Sequence, residues 1–309
     1  GVRASRPRPS RAAAPPGCQS PVVQALHKAH LQPLTDSGQR VLAHHLLIYP
    51  QPTWREQQFD AFGNACTLFA LQQSHEHLQV WADSLVQTDE PAPLGPSPAW
   101  ESVREALRFC SGAPFSDANE FVFASPFAPI DDIFADFARP AFAPERPFLQ
   151  ACYDLMQKIH TQLKYQSAST EVHTPARVAL QQGTGVCQDF AHIMLACLRS
   201  LGLPACYRSG YMLTQPPAGQ PRLIGADASH AWVAVPLDGQ WFDFDPTNLR
   251  CGMQRPGADY VRLASGRDFG DVSPLRGVIR GGGEHSLEVR VTVAPPEELD
   301  ALGGAAPGA

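Results

Sequence analysis

Between residues 40 and 88 the chain runs as short apolar stretches, VLAHHLLIYP, FGNACTLFAL and HLQVWADSLV, with turn residues between them. Runs of this length and alternation predict antiparallel strands. Gly63-Asn64, just ahead of the alternating Thr67, Phe69 and Leu71, marks a tight hairpin turn. The pattern changes after a Pro-rich stretch, DEPAPLGPSPA at 89–99, to short helical segments over 100–109 and parts of 117–138. In RPFLQACYDLMQKIHTQLKY, Phe148, Cys152, Met156, Ile159 and Leu163 recur at helical spacing and give one face for burial. Thr174-Pro175 and Gly183 bracket a short helix.

A Gly-Thr-Gly turn then leads into VCQDFAHIMLACLRSLGLP, where Val186, Phe190, Met194, Cys197 and Leu201 form one stripe. Ile193 and Leu195 widen the stripe, so this helix is expected to be central and enclosed. Gly202 and Pro204 end it. Strand-like runs follow: ACYRSGYML, HAWVAVPL and QWFDFDP, the last two joined by the hairpin signal Asp238-Gly239. Residues 257–293 add strand material, including SLEVRVTVA with alternating Leu287, Val289 and Val291. The expected organisation is α+β: a disordered head over 1–20, a β-rich domain over 21–90, a linker with short helices over 91–145, a core with C-terminal strands over 146–295, and a disordered tail over 296–309.

Composition narrows the functional classes. The chain has 309 residues, 44% hydrophobic and 17% charged, with 16 Phe and 5 Trp, enough for ordinary packed cores. A net charge of -6 gives no basic footprint for nucleic acid or an anionic membrane surface. No run of 18 apolar residues predicts a spanning helix. The head, with four Arg and no acid, has no apolar stretch of the kind a secretory leader needs. Eight cysteines are scattered without a CxxC pair, which fits reduced thiols and a cytoplasmic location better than a disulfide framework.

One cysteine stands apart. Cys187 falls in the first turn of the central helix, where unpaired N–H groups and the helix dipole favour thiolate over thiol and can hold an oxyanion. Such a nucleophile needs a base, and the base an orienting partner. In a two-residue hairpin at 238 and 239, facing residues sum to 477, so Trp232 opposes Asp245 and His230 lies one diagonal step away on the same face. Diagonal neighbours are about 7–8 Å apart, within side-chain reach. His230 and Asp245 can therefore meet, with the other ring nitrogen left to face Cys187.

The stretch from about 150 to 250, with GTGVCQDFAHIMLACLRSLGLPACYRSGYM, ASHAWVAV and QWFDFDPTN in that order, resembles the transglutaminase-like superfamily and its bacterial two-domain members. Residues 36–90 resemble the β-rich domain that precedes the core in these proteins, and GRDFGDVSPLRGV at 266–278 their C-terminal strand region. The resemblance implies a papain-like core, a central helix against an antiparallel sheet, with Cys187 as nucleophile, His230 as base and Asp245 as orienter. The expected reaction is acyl transfer on an amide of a peptide or protein through a thioester, foremost hydrolysis of a peptide or isopeptide bond, with no metal or organic cofactor. Transfer to an amine, as in protein crosslinking, and a catalytically silent peptide-binding module of the same fold are the alternatives.

Other clusters carry plainer expectations. His75-Glu76-His77, with His44 and His45, could suggest a metal-dependent hydrolase, but a polar strand face explains them more simply. Asp189 and His192 are three apart and could meet as a polar pair beside Cys187. His192 points about 140° from Cys187 and is expected to be structural. Trp241 is expected to pack, and Trp232 either to pack or to wall the substrate cleft. Cys197 and Cys206 are expected to be buried, and Tyr165 or Tyr211 could donate to an oxyanion.

Overall fold

The computed structural model describes residues 2–5, 21–108, 110–112, 116–167, 173–215, 225, 227–283 and 285–301. Six strands open the chain: β1 (Val2–Ser5), β2 (Val22–Ala29), β3 (Gln39–Tyr49), β4 (Trp54–Phe59), β5 (Ala65–Leu71) and β6 (Gln79–Thr88). The last two strands, β14 (Leu275–Gly281) and β15 (Thr292–Ala294), return to join them. Two sheets result, ordered β15-β1-β6-β3 and β14-β2-β5-β4. Between them lie Ala25, Ala29, Leu31, Leu46, Phe69, Leu71 and Val80, the inward half of each alternating pattern. The turn before β5 runs from Asp60 to Asn64 and is longer than a two-residue hairpin.

Between β6 and β14 the chain forms the larger unit. Its helices are α1 (Trp100–Ala106), α2 (Asp132–Ala138), α3 (Phe148–Gln162), α4 (Ala176–Gln182), α5 (Cys187–Ser200) and α6 (Phe269–Val272). Two short parallel strands, β7 (Lys164–Tyr165) and β8 (Thr184–Gly185), bring the chain after α3 beside the entry to α5. The main sheet contains β9 (Cys206–Met212), β10 (Ser229–Leu237), β11 (Gln240–Asp245), β12 (Arg250–Met253) and β13 (Tyr260–Gly266), in the order β12-β11-β10-β9-β13. The hairpin register is the expected one, with Val233 opposite Phe244. As its stripe requires, α5 is enclosed, with Phe190, Ile193, Met194, Leu195 and Cys197 all buried. It packs on β9 and β10, and Tyr207, Ala231, Val233, Val235, Phe244 and Val261 of the sheet share its apolar core. The α3 stripe is buried throughout.

Several expectations need correction. Leu275–Gly281, assigned from the sequence to the core, pairs instead with β2 of the sandwich. Gly277 permits this: a Cβ there would lie 2.5 Å from the Leu26 carbonyl oxygen and 2.3 Å from His27 Nδ1. Of SLEVRVTVA, only Thr292–Ala294 forms a strand; Leu287 is 72% exposed despite its alternation, and among the described residues no strand pairs with it. Within the expected disordered head, Val2–Ser5 is a strand held by main-chain pairing to β6 and β15, which needs no apolar periodicity. Within the expected disordered tail, Pro296–Ala301 forms helix α7, with Leu299 buried. The remainder of head and tail, 6–20 and 302–309, lies outside the described residues.

Candidate active site

The two faces of the main sheet differ in chemistry. The face away from α5 carries His230, Trp232, Asp243, Asp245, Arg208, Arg262 and Tyr260, as the strict alternation along paired strands dictates. This face is concave. The two edge strands approach each other, Arg250 of β12 lying 5.0 Å over the Tyr260 ring of β13 and pairing with Asp259. Across the mouth of the curl, the Tyr260 hydroxyl donates to Asp245 Oδ2 at 2.6 Å.

Cys187 is the first residue of α5. Its N–H belongs to the set that has no acceptor within a helix. The entry is fixed by Asp189, whose carboxylate accepts from the Val186 N–H at 2.8 Å. Cys187 Sγ lies 3.9 Å from the Ser229 carbonyl oxygen, which places it beside the first residues of β10. His230 follows directly, and its Nε2–H donates to Asp245 Oδ2 at 2.7 Å. Burial alone would lower the His230 pKa. Hydrogen bonds to Asp245 and Cys187, and the charges of both, outweigh burial and push it up to about 10. Asp245 is 0% exposed, yet its carboxyl sits below the ordinary range. Burial raises it, and His230, Tyr260 and Asn248 more than offset that. The structure thus brings together all three residues that the sequence singled out.

Three further residues, Thr247, Asn248 and Tyr260, hold the Asp245 carboxylate. Asn248 donates its side-chain N–H to Asp245 Oδ2 at 2.8 Å, and the Thr247 N–H donates to Oδ1 at the same distance. Asn248 was visible as the last letter of QWFDFDPTN. Tyr260 carried no such signal, because it depends on β13 pairing with β9 and on the curl of the sheet.

The remaining candidates settle into structural places. Trp232 is 0% exposed, donates from Nε1 to Asp243 Oδ2 at 2.6 Å and stacks 6.1 Å from His230, so it underlies the site and does not wall a cleft. Gly210 makes room for it, since a Cβ there would lie 2.7 Å from the indole. Trp241 packs edge-on against Phe121 with Arg208 above it. His192 accepts from the Phe269 N–H and lies between Phe127 and Tyr207. Burial, then Arg199, pushes it down to about 3, which keeps it neutral. Cys197 and Cys206 are buried. His44 faces inward to Ser84, and His75 makes an isolated bridge with Val22, not a strand face. Among the described residues no group of three or more His, Cys, Asp or Glu converges to hold a metal ion. No helix among them is long and apolar enough to cross a membrane.

A helix-start cysteine beside a strand-borne histidine and aspartate defines a papain-like cysteine fold. Comparison with known proteins places it more closely. Residues 135–246 match the transglutaminase-like superfamily core, and residues 19–87 the bacterial transglutaminase-like N-terminal region. An uncharacterized protein of Mycobacterium tuberculosis is 39% identical over 287 residues, covering 89% of this chain and 88% of its own. An uncharacterized protein of Mycobacterium leprae is 29% identical over 276 residues, covering 89% and 94%. A solved structure from Cytophaga hutchinsonii, described as a candidate cysteine protease, superposes with a TM-score of 0.68 at 20% identity, over 95% of this chain and 89% of that one. The chain belongs to the transglutaminase-like superfamily.

Proposed function

We propose that the protein is an enzyme that attacks a peptide or isopeptide carbonyl with Cys187, forms a thioester and releases the acyl group to water. The observation that carries this reading is the continuous contact from Cys187 to His230 to a buried Asp245 at the N-terminus of α5. The Cys187 sulfur forms a bond to the carbonyl carbon, and the resulting oxyanion lies against the Cys187 N–H. The imidazolium of His230 gives its Nδ1 proton to the leaving nitrogen as the C–N bond breaks. Neutral His230 then takes a proton from the water that attacks the thioester, and the C–S bond breaks to return thiolate and imidazolium. Asp245 holds the ring orientation throughout.

Tyr165 is the hydroxyl we assign to the oxyanion. It is 51% exposed, pairs opposite Gly185 two residues before Cys187, and is held above its ordinary pKa by burial and then by Cys187. Tyr211 lies in the core on the α5 side of the sheet. Water needs no binding site as acceptor, which favours hydrolysis over transfer to an amine.

Wild type and Cys187→Ala are compared on a peptide-amide library, with and without a primary amine. Cys187-dependent release of free acid is expected. Amine adducts in place of acid would make the enzyme a transferase. Equal turnover by the two proteins would end the enzyme reading and leave a peptide-binding module. Turnover is expected to hold through neutral pH and to fall as His230 loses its proton toward about 10.

A further inference from the structure

Asp245 is bonded more heavily than an orienting carboxylate requires. Oδ1 accepts from the N–H groups of Thr247 and Asn248 at 2.8 and 3.3 Å. Oδ2 accepts from His230 Nε2–H, the Asn248 side chain and the Tyr260 hydroxyl at 2.7, 2.8 and 2.6 Å. Thr247 and Asn248 sit on the turn that follows Asp245, so their bonds follow from local chain geometry. Tyr260 comes from the opposite edge of the sheet and competes for the same oxygen that His230 uses.

We propose that Tyr260 is a positioning residue for the acyl-transfer site, acting by sharing Asp245 Oδ2 with His230 and so limiting the hold of the carboxylate on the imidazolium. This rests on the acyl-transfer reading above. A donor on Oδ2 draws negative charge away from the bond to Nε2–H, and that bond sets how readily Nδ1 gives up its proton. An imidazolium held too tightly is a poor acid toward a leaving amide nitrogen. Other groups leave this reading intact. Around His230 stand Cys187 from α5, Asp245 from β11 and Tyr260 from β13, with Asp243 reached through Trp232. Outside the phenol are Arg250 and Asp259, paired with each other. Tyr260 itself stays a neutral donor, since burial and then the Asp245 charge raise its pKa.

The test is the titration of His230, read by NMR of the ring nitrogens in wild type and Tyr260→Phe. Phe keeps the ring that packs 5.4 Å from Trp232 and leaves Asp245 its other donors. His230 is expected to bind its proton roughly threefold to tenfold more tightly in the variant. With it, kcat on amides should fall about tenfold at unchanged KM, and esters, whose leaving group needs less protonation, should lose less. Site-specific 3,5-difluorotyrosine at 260, a stronger donor on an unaltered scaffold, should loosen the proton instead. A His230 titration that stays put, or moves toward 6.5, in Tyr260→Phe overturns the proposal, as does an unmoved titration with difluorotyrosine. If instead Cys187→Ala turns over like wild type, the acyl-transfer reading fails by itself, because the titration needs no turnover.

Discussion

The two faces of the main sheet are made from alternate residues of the same five strands, yet they do different work. Toward α5, Tyr207, Ala231, Val233, Val235, Phe244 and Val261 are close-packed with the helix and carry no charge. On the other face, Arg208, Asp243 and Asp245 are buried and Arg262 is largely so, but these side chains are ionisable, and each needs partners. The sandwich supplies some of them. Asp36 pairs with Arg255 and Arg262. The Gln39 amide exchanges hydrogen bonds with the Arg262 main chain at 2.8 Å each way, and the Asn64 amide does so with Ser265 at 2.7 Å. These two amides take the place of a sixth strand along the free edge of β13, the strand that carries Tyr260. One face supplies stability through area, while the other supplies geometry through directed bonds.

The comparison breaks first at Asp245. Asp245→Asn should lower kcat/KM on an amide substrate by about 10³ to 10⁴-fold, since the amide cannot orient or balance the imidazolium. A loss under tenfold would mean that the polar face is structural like its counterpart. Next in size is Val233→Ala, one residue from Trp232 but on the apolar face. It should cost about 2 kcal/mol in urea unfolding while kcat changes by less than about threefold. If kcat fell with stability, the faces would not be separable. Gln39→Leu strands the Arg262 N–H and should cost about 1.5 kcal/mol. In contrast to Val233→Ala, it should lower kcat several-fold, because it frees the edge that holds Tyr260.

The faces were not equally legible in the sequence. Apolar periodicity gave α5, the α3 stripe and the hairpin register directly, because each depends on spacing along one segment. Cys187, His230 and Asp245 were readable for the same reason: a helix start and one hairpin place them. Trp232 already left two roles open, since burial against Asp243 depends on Gly210 of a neighbouring strand. Gln39 and Asn64 were out of reach, because contacts across 223 and 201 residues leave no local pattern, and Tyr260, only 15 residues from Asp245, was hidden because their meeting depends on the curl of the sheet. The return of Leu275–Gly281 to the sandwich was hidden for the same cause. Strand character was visible in it, but the partner was not.

The smallest effect separates two carboxylates on the polar face itself. Asp243 and Asp245 are two residues apart and both 0% exposed, yet their proton affinities move in opposite directions. Burial raises Asp243, and the charges of Arg208 and Arg262 do not fully offset it. Burial also raises Asp245, but His230, Tyr260 and Asn248 overcome it and the net movement is down. A lowered folded pKa means that Asp245 contributes stability present above the unfolded value of about 3.9 and lost as pH falls through the folded one. A raised folded pKa means that the contribution of Asp243 is complete below about 3.9 and is lost as pH rises through its folded value. Each slope is at most one proton's worth, about 1.4 kcal/mol per pH unit. Urea unfolding across pH 2.5 to 6 should therefore show Asp245→Asn flattening the acid loss of stability, and Asp243→Asn removing a decline on the higher-pH side. If both variants changed the profile in the same sense, the two carboxylates would share one environment, and the division between a charge-balanced site and a buried support beneath it would not hold.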